Sequence, residues 1–299
     1  MRYRILALFL VLSGLLHAYD VEVDGIYYGT IGSRWAYVTY PDQGTMDDGQ
    51  WPTAYVGDVV VPSQIDYNGH TYTVMSVGEC AFAGQDSLIS VQLPSTVRAL
   101  SACAFLGCTS LREVSLPADI QAVSSCAFTG CTSLQQITLP HYAELVDTLT
   151  LYCCASMTSV ALPQSIRKVC QGALEHLPAL TDLYCFAMTP PLAEPGAFTL
   201  ADQQHSTLHV PAKALPLYQE SPVWSEFYHI VPLLDDDYIR QNYRRGDIND
   251  DGKIDAEDFA LLRRLIVGLP NDAAVPWAAD VNGDGIVNAL DYVMLIGEQ

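Results

Sequence analysis

Two stretches decide the fold: Ala104 to Pro117 reads AFLGCTSLREVSLP, and Ala127 to Pro140 reads AFTGCTSLQQITLP. They match at almost every structural position and lie 23 residues apart. The same interval separates Leu93-Pro94, Leu116-Pro117, Leu139-Pro140 and Leu162-Pro163. Working outward, Leu88, Leu111, Leu134, Met157 and Leu180 form one column, and Val91, Val114, Ile137, Val160 and Leu183 form a second. Phe82, Phe105, Phe128, Leu151 and Leu174 form a third. A fixed period between 20 and 29 residues with Leu-x-x-Val-x-Leu spacing marks a leucine-rich solenoid. A single turn cannot bury its apolar residues alone, but stacked coils bury them as ladders, with parallel strands about 4.8 Å apart. The predicted fold is therefore a mainly β solenoid of short stacked parallel strands.

Cysteine follows the same register. Cys108, Cys131 and Cys154 form one column and Cys80, Cys103 and Cys126 another. A small apolar residue suits an interior ladder. Residues stacked one coil apart also fall within the Cα separation that a disulfide spans. Buried thiols and intercoil bridges both remain open. A metal site is disfavoured, because neither column has a Cys-x-x-Cys pair or a histidine close in sequence.

A second duplication closes the chain. Asp247, Asn249, Asp251, Gly252, Asp255 and Asp258 occupy positions 1, 3, 5, 6, 9 and 12 of a twelve-residue loop. Asp280, Asn282, Asp284, Gly285, Asn288 and Asp291 repeat them 33 residues later. Oxygen side chains converging from a loop bent at glycine suit a hard cation, with position 7 (Lys253 and Ile286) giving backbone oxygen. Position 12 is Asp where the EF-hand pattern has Glu. Asp-Gly pairs alone read as hairpin turns. Duplication of the whole ligand set, with an apolar run Phe259 to Leu262 after the first loop, points instead to two calcium ions in a small all-α, EF-hand-like domain.

The bulk properties fit an exported binding protein. A net charge of −20 over 299 residues excludes a nucleic-acid partner, because phosphate binding needs basic patches. Met1 to Ala18 has a basic start at Arg2 and Arg4, an apolar run Ile5 to Leu12, and a small residue at its end. It reads as a secretory leader too short to span a membrane. The predicted division is leader 1–18, β-rich cap 19–76, repeats with closing cap 77–234, linker 235–245 and calcium domain 246–299.

The Gly-Cys-Thr-Ser-Leu and Leu-Pro pattern resembles the BspA-type leucine-rich repeats of bacterial surface proteins. Val23 to Tyr28, Gly57 to Pro62 and Tyr67 to Val74 are similar to the entry of such proteins. Tyr184 to Pro191, Leu208 to Pro211 and Trp224 to Phe227 are similar to their closing segment. The paired loops resemble a type I dockerin, through Gly246 to Asn249 and Ala279 to Gly285. That resemblance implies a cohesin-like partner gripped by loop positions 10 and 11 and the helix that follows. Here those positions are Ala256-Glu257 and Ala289-Leu290, and the first helix presents Arg263 and Arg264, where the second has Ile296-Gly297. A partner is expected to favour the first helix; a solvated face is the other reading of those arginines.

No Gly-x-Ser-x-Gly, His-Glu-x-x-His or phosphate loop is present. The few acids of the repeats, Glu113, Asp119, Glu144 and Asp147, are scattered rather than paired across a cleft as glycoside hydrolysis requires. The expectation is a secreted, non-catalytic interaction protein, with a component of polysaccharide breakdown as the alternative. The variable positions Ile89, Ser90, Gln92; Arg112, Glu113, Ser115; Gln135, Gln136, Thr138; Thr158, Ser159, Ala161; and Thr181, Asp182, Tyr184 are expected to project from the strand face. That polar face suits a protein strand or a glycan, and it equally suits plain solvation.

Overall fold

The computed structural model describes residues 19–41, 54–117, 120–140 and 143–233, with positions 246, 248, 254, 256–267, 279, 289, 292, 293 and 295. The expected leader and linker lie outside the described residues. Strands β1 (Val21–Val23), β2 (Ile26–Ile31) and β3 (Trp35–Thr39) form an antiparallel entry. β4 (Gly57–Val60) follows, then a hairpin of β5 (Gln64–Tyr67) and β6 (His70–Val77) turning at Asn68-Gly69, both at positive φ. The Asn-Gly pair supplies the two left-handed residues that a tight hairpin needs.

Each repeat then makes one coil with two strand faces. The first face carries β7 (Leu88–Gln92), β9 (Glu113–Ser115), β11 (Gln136–Thr138), β13 (Ser159–Leu162) and β15 (Asp182–Cys185). The second carries two-residue strands: β8 (Ala99–Leu100), β10 (Ala122–Val123), β12 (Leu145–Val146), β14 (Lys168–Val169) and β16 (Leu192–Ala193). Proline separates the faces: it cannot donate to a ladder. Its carbonyl instead accepts the amide three residues on, as in Val97 to Pro94, Ile120 to Pro117, Ala143 to Pro140 and Ile166 to Pro163. The second face goes beyond the sequence reading, because two residues are too short to show alternation.

The three apolar columns are the core. Leu88, Leu111, Leu134, Met157 and Leu180 are buried, as are Phe82, Phe105, Phe128, Leu151 and Leu174. Phe82, Phe105 and Phe128 stack ring on ring at 5.0 and 5.3 Å between centroids, near-parallel. Burying each such ring is worth about 1.5–3 kcal/mol.

Two backbone positions per coil are left-handed. The first runs Cys80, Cys103, Cys126, Leu149 and Gly172 (φ 56, 58, 58, 57 and 68°). The second runs Gly84, Gly107, Gly130, Cys153 and His176 (φ 67, 70, 73, 60 and 60°). The second Cys column of the sequence thus stands where glycine is the default, at a conformational cost of about 1 kcal/mol per residue.

Among the described residues, parallel pairing runs through the stack with one interruption. β4, β7 and β9 form one sheet, while β11, β13, β15, β17 (Thr207–Val210) and β18 (His229–Pro232) form another. On the second face β6, β8 and β10 are joined, and β12, β14 and β16 are joined. Both faces therefore break at the same junction, between the coil of Phe105 and the coil of Phe128. Among the described residues the backbone bonds across it lie on the turn side: Cys103, Phe105 and Gly107 donate amide hydrogens to Ser125, Ala127 and Thr129 at 3.0, 2.8 and 2.7 Å. Val114 and Leu116 are half-buried at this junction, whereas Val91, Val160, Leu93 and Leu162 in the same columns are buried.

The stack is closed by short helices α1 (Leu200–His205) and α2 (Leu215–Glu220) and an aromatic plug. Trp224 is wholly buried against Phe198, Tyr218 and Phe227, and its Nε1–H donates to the Pro191 carbonyl at 2.6 Å. A cap of this kind covers a ladder end that would otherwise face water.

Candidate functional sites

The first-face strands alternate apolar residues inward with polar residues outward. Gln92, Arg112, Glu113, Ser115, Gln135 and Gln136 are exposed as expected. Two positions depart from expectation: Ala161 is wholly buried and Tyr184 is 8% exposed. Tyr184 lies in register between Ala161 and His209, and its ring stacks on the imidazole at 4.4 Å and 15°. The imidazole is fixed by an Nε2–Asp182 Oδ1 contact of 2.7 Å. Aromatic stacking across adjacent coils has turned this end of the face into a covered layer. The open polar strip is therefore carried by the earlier coils.

Hydroxyls tie the strip together along its length. Thr158 Oγ1 donates to Gln135 O and Thr181 Oγ1 to Thr158 O, both at 3.0 Å, and Ser90 Oγ donates to Asp58 Oδ1 at 2.6 Å. Depressions lie between the coils of Phe105 and Phe128, flanked by residues such as Gln136 and Thr138 on one face and Gln121 and Glu144 on the other. Glu144 and Asp147 both line the second-face depression, and Glu113 is the acid of the first-face one.

The C-terminal site is described in part. Asp258, the position-12 carboxylate of the first loop, is wholly buried at the start of the helix Ala256–Ile266. Its Oδ1 accepts the Ile248 amide hydrogen at 2.6 Å, which ties the end of the loop back to its second residue. An acid in the first helical turn is also favoured by the helix dipole. Ile248, Leu262, Ala279 and Leu295 form a small core beneath, with Ile254, Phe259 and Leu265 packed against it. Gly246 permits this closure: its φ is 96°, and a Cβ there would meet Leu295 Cδ1 at 2.3 Å.

Asp247, Asn249, Asp251, Lys253, Asp255, Asp280, Asn282, Asp284, Ile286, Asn288 and Asp291 lie outside the described residues. Among the described residues no group of three or more His, Cys, Asp or Glu side chains is placed to hold a metal. The donor set that the sequence supplies is all oxygen, which fits a hard cation.

Of the expected partner residues, Ala256, Glu257, Arg263 and Arg264 are all exposed on the first helix. Arg263 is anchored: its guanidinium lies 4.8 Å from the Tyr292 ring centroid and donates to the Tyr292 hydroxyl. Phe259 meets the same ring edge-on at 5.9 Å. Sequence reading had no signal for this, because Arg263 and Tyr292 belong to different loop-helix units.

Comparison with known proteins agrees with both motifs. Residues 70–187 match the BspA type leucine rich repeat region in six copies, and residues 245–298 match the dockerin type I domain. No curated protein matches the chain. Among solved structures, a T. pallidum leucine-rich repeat protein is 28% identical over 55% of this chain and 70% of its own (TM-score 0.46). A Bacteroides ovatus leucine-rich repeat protein is 15% identical over 72% and 77% (TM-score 0.37). The pneumococcal vaccine antigen PcpA is 16% identical over 65% and 50% (TM-score 0.49). The two matched modules support a role in protein interaction. Among the described residues no helix is long and apolar enough to cross a membrane.

Proposed function

We propose, on the premise that this chain carries a BspA-type leucine-rich repeat region and a type I dockerin domain, that it is a secreted, non-catalytic adaptor. Its repeat body grips an extracellular protein or glycan, and its tail docks to a cohesin-like partner in a calcium-dependent way. The observation that carries this reading is the buried Asp258 carboxylate, bonded to the Ile248 amide at the foot of an oxygen-rich loop. Two ions occupy the two loops, each held by the side chains at positions 1, 3, 5, 9 and 12. The ions neutralise carboxylates that would otherwise repel one another, and so stabilise the tail. The first loop carries the four ligand carboxylates Asp247, Asp251, Asp255 and Asp258, one more than the second, and binds more tightly on charge count.

Calorimetric calcium titration of the full chain tests this, with Asp258→Ala and Asp291→Ala beside the parent. Two binding events are expected, with the larger loss of affinity from Asp258→Ala. Equal losses contradict the ordering, and no heat of binding contradicts the metal. A chain that released reducing sugar from plant or host glycans, abolished by changing one acid, would replace the adaptor reading with an enzyme of polysaccharide breakdown.

A further inference from the structure

The column Cys80, Cys103, Cys126 contains three thiols at one left-handed position of successive coils. The Cys80 amide donates to Ala102 O at 3.1 Å and the Cys103 amide to Ser125 O at 3.0 Å, so these coils are in direct parallel register. Stacked backbones about 4.8 Å apart sit inside the roughly 4.4–6.8 Å Cα range of a disulfide. The identical φ of 56–58° points all three side chains the same way. The thiols influence one another along the column, Cys103 being coupled electrostatically to both Cys80 and Cys126.

The two possible bridges differ in access and in consequence. Cys80 is 2% exposed, enclosed by Tyr40, Ala83 and Leu106. Cys103 and Cys126 are both half-buried. A Cys80–Cys103 bridge would join coils already paired on both strand faces. A Cys103–Cys126 bridge would cross the single junction at which both faces are interrupted.

We propose that Cys103 and Cys126 are a redox site that takes one intercoil disulfide and staples this junction. The oxidant is a low-molecular-weight disulfide. The Cys103 thiolate attacks one of its sulfurs, breaks the S–S bond and expels one small thiolate. The Cys126 thiolate then attacks the Cys103 sulfur of the mixed disulfide, forms the Cys103–Cys126 bond and expels the second. Two electrons and the two thiol protons end on the two small thiols. The Cys126 thiol is held up by its hydrogen bond to Cys103 and then by burial. Hydrogen bonding to Cys126 pulls the Cys103 thiol down, but the bond to Cys80 and burial outweigh it and leave it at about 12. Thiolate is therefore scarce at neutral pH, and oxidation accelerates as pH rises.

The test treats the folded full chain with oxidised glutathione and counts thiols by maleimide labelling after denaturation. Seven of the nine cysteines should remain reactive. Cys80→Ser should also lose two thiols on oxidation, whereas Cys103→Ser and Cys126→Ser should lose none. Amide exchange serves as an independent readout: Phe105 and Gly107, which donate across the junction, should exchange more slowly in the oxidised parent and unchanged in either bridge variant. Retention of all nine thiols in the folded parent would overturn the proposal. So would loss of two thiols in Cys103→Ser or Cys126→Ser.

Discussion

The repeat body and the C-terminal module solve the same problem with different means. The body buries continuous ladders, with stacked phenylalanines and columns of leucine and valine running from coil to coil. In the C-terminal module the described buried core is four apolar side chains, Ile248, Leu262, Ala279 and Leu295. A domain of about fifty residues is short of apolar burial, and such modules are commonly completed by metal or disulfide. The body is therefore expected to stand on packing alone, and the tail to depend on neutralising its own loop carboxylates.

The largest effect expected on the body alone comes from Phe105→Ala. It removes the middle ring of the stack at the junction where both strand faces are interrupted, at a cost of about 3–5 kcal/mol. Urea unfolding should show the body's transition shifted and the calcium-linked transition in place. Alkaline pH should come next, again on the body. Burial pushes the Cys154 thiol up to about 12 and Cys185 up to about 11, from an ordinary 9.0. The folded state keeps these protons while the unfolded state loses them. Stability is therefore full below about pH 9 and is lost as pH climbs toward 11–12. Urea midpoints measured from pH 8 to 11 should fall, and fall less in Cys154→Ala.

Gly246→Ala acts on the tail instead. A Cβ 2.3 Å from Leu295 Cδ1 at a φ of 96° should weaken the tail by about 1–2 kcal/mol and leave the body's midpoint unmoved. Gly172→Ala is its counterpart in the body, where the added carbon meets Leu149 Cδ2 at 2.5 Å, with a loss of similar size. The smallest effect lies within the body. Amides of β9 and β11, at the interrupted junction, should exchange faster than those of β13, which is paired on both sides.

How much of this was readable in the sequence follows from what repeats. The interior columns were legible because Leu, Val and Phe recur every 23 residues and nothing else explains them. The Cys108 column was legible for the same reason: all three sulfhydryls are buried, and each donates to a Phe carbonyl of the preceding coil. The left-handed Cys80 column was not, because cysteine carries no signal for positive φ. The interrupted junction was also invisible, since the coils on either side share the same Ala-Phe-x-Gly-Cys-Thr-Ser-Leu and Leu-Pro motif. Tyr184 escaped because its covering partner, His209, comes from the closing segment rather than from a repeat. In the tail, ligand spacing was legible from duplication, while the Arg263–Tyr292 contact required the fold.

The decisive measurement is thermal unfolding of the full chain followed by amide exchange, with calcium and then with excess chelator. The adaptor account predicts that chelation abolishes protection in the helix Ala256–Ile266 while the Phe82, Phe105 and Phe128 coils keep theirs. Equal protection of that helix with and without calcium, or loss of the repeat body on chelation, would contradict it.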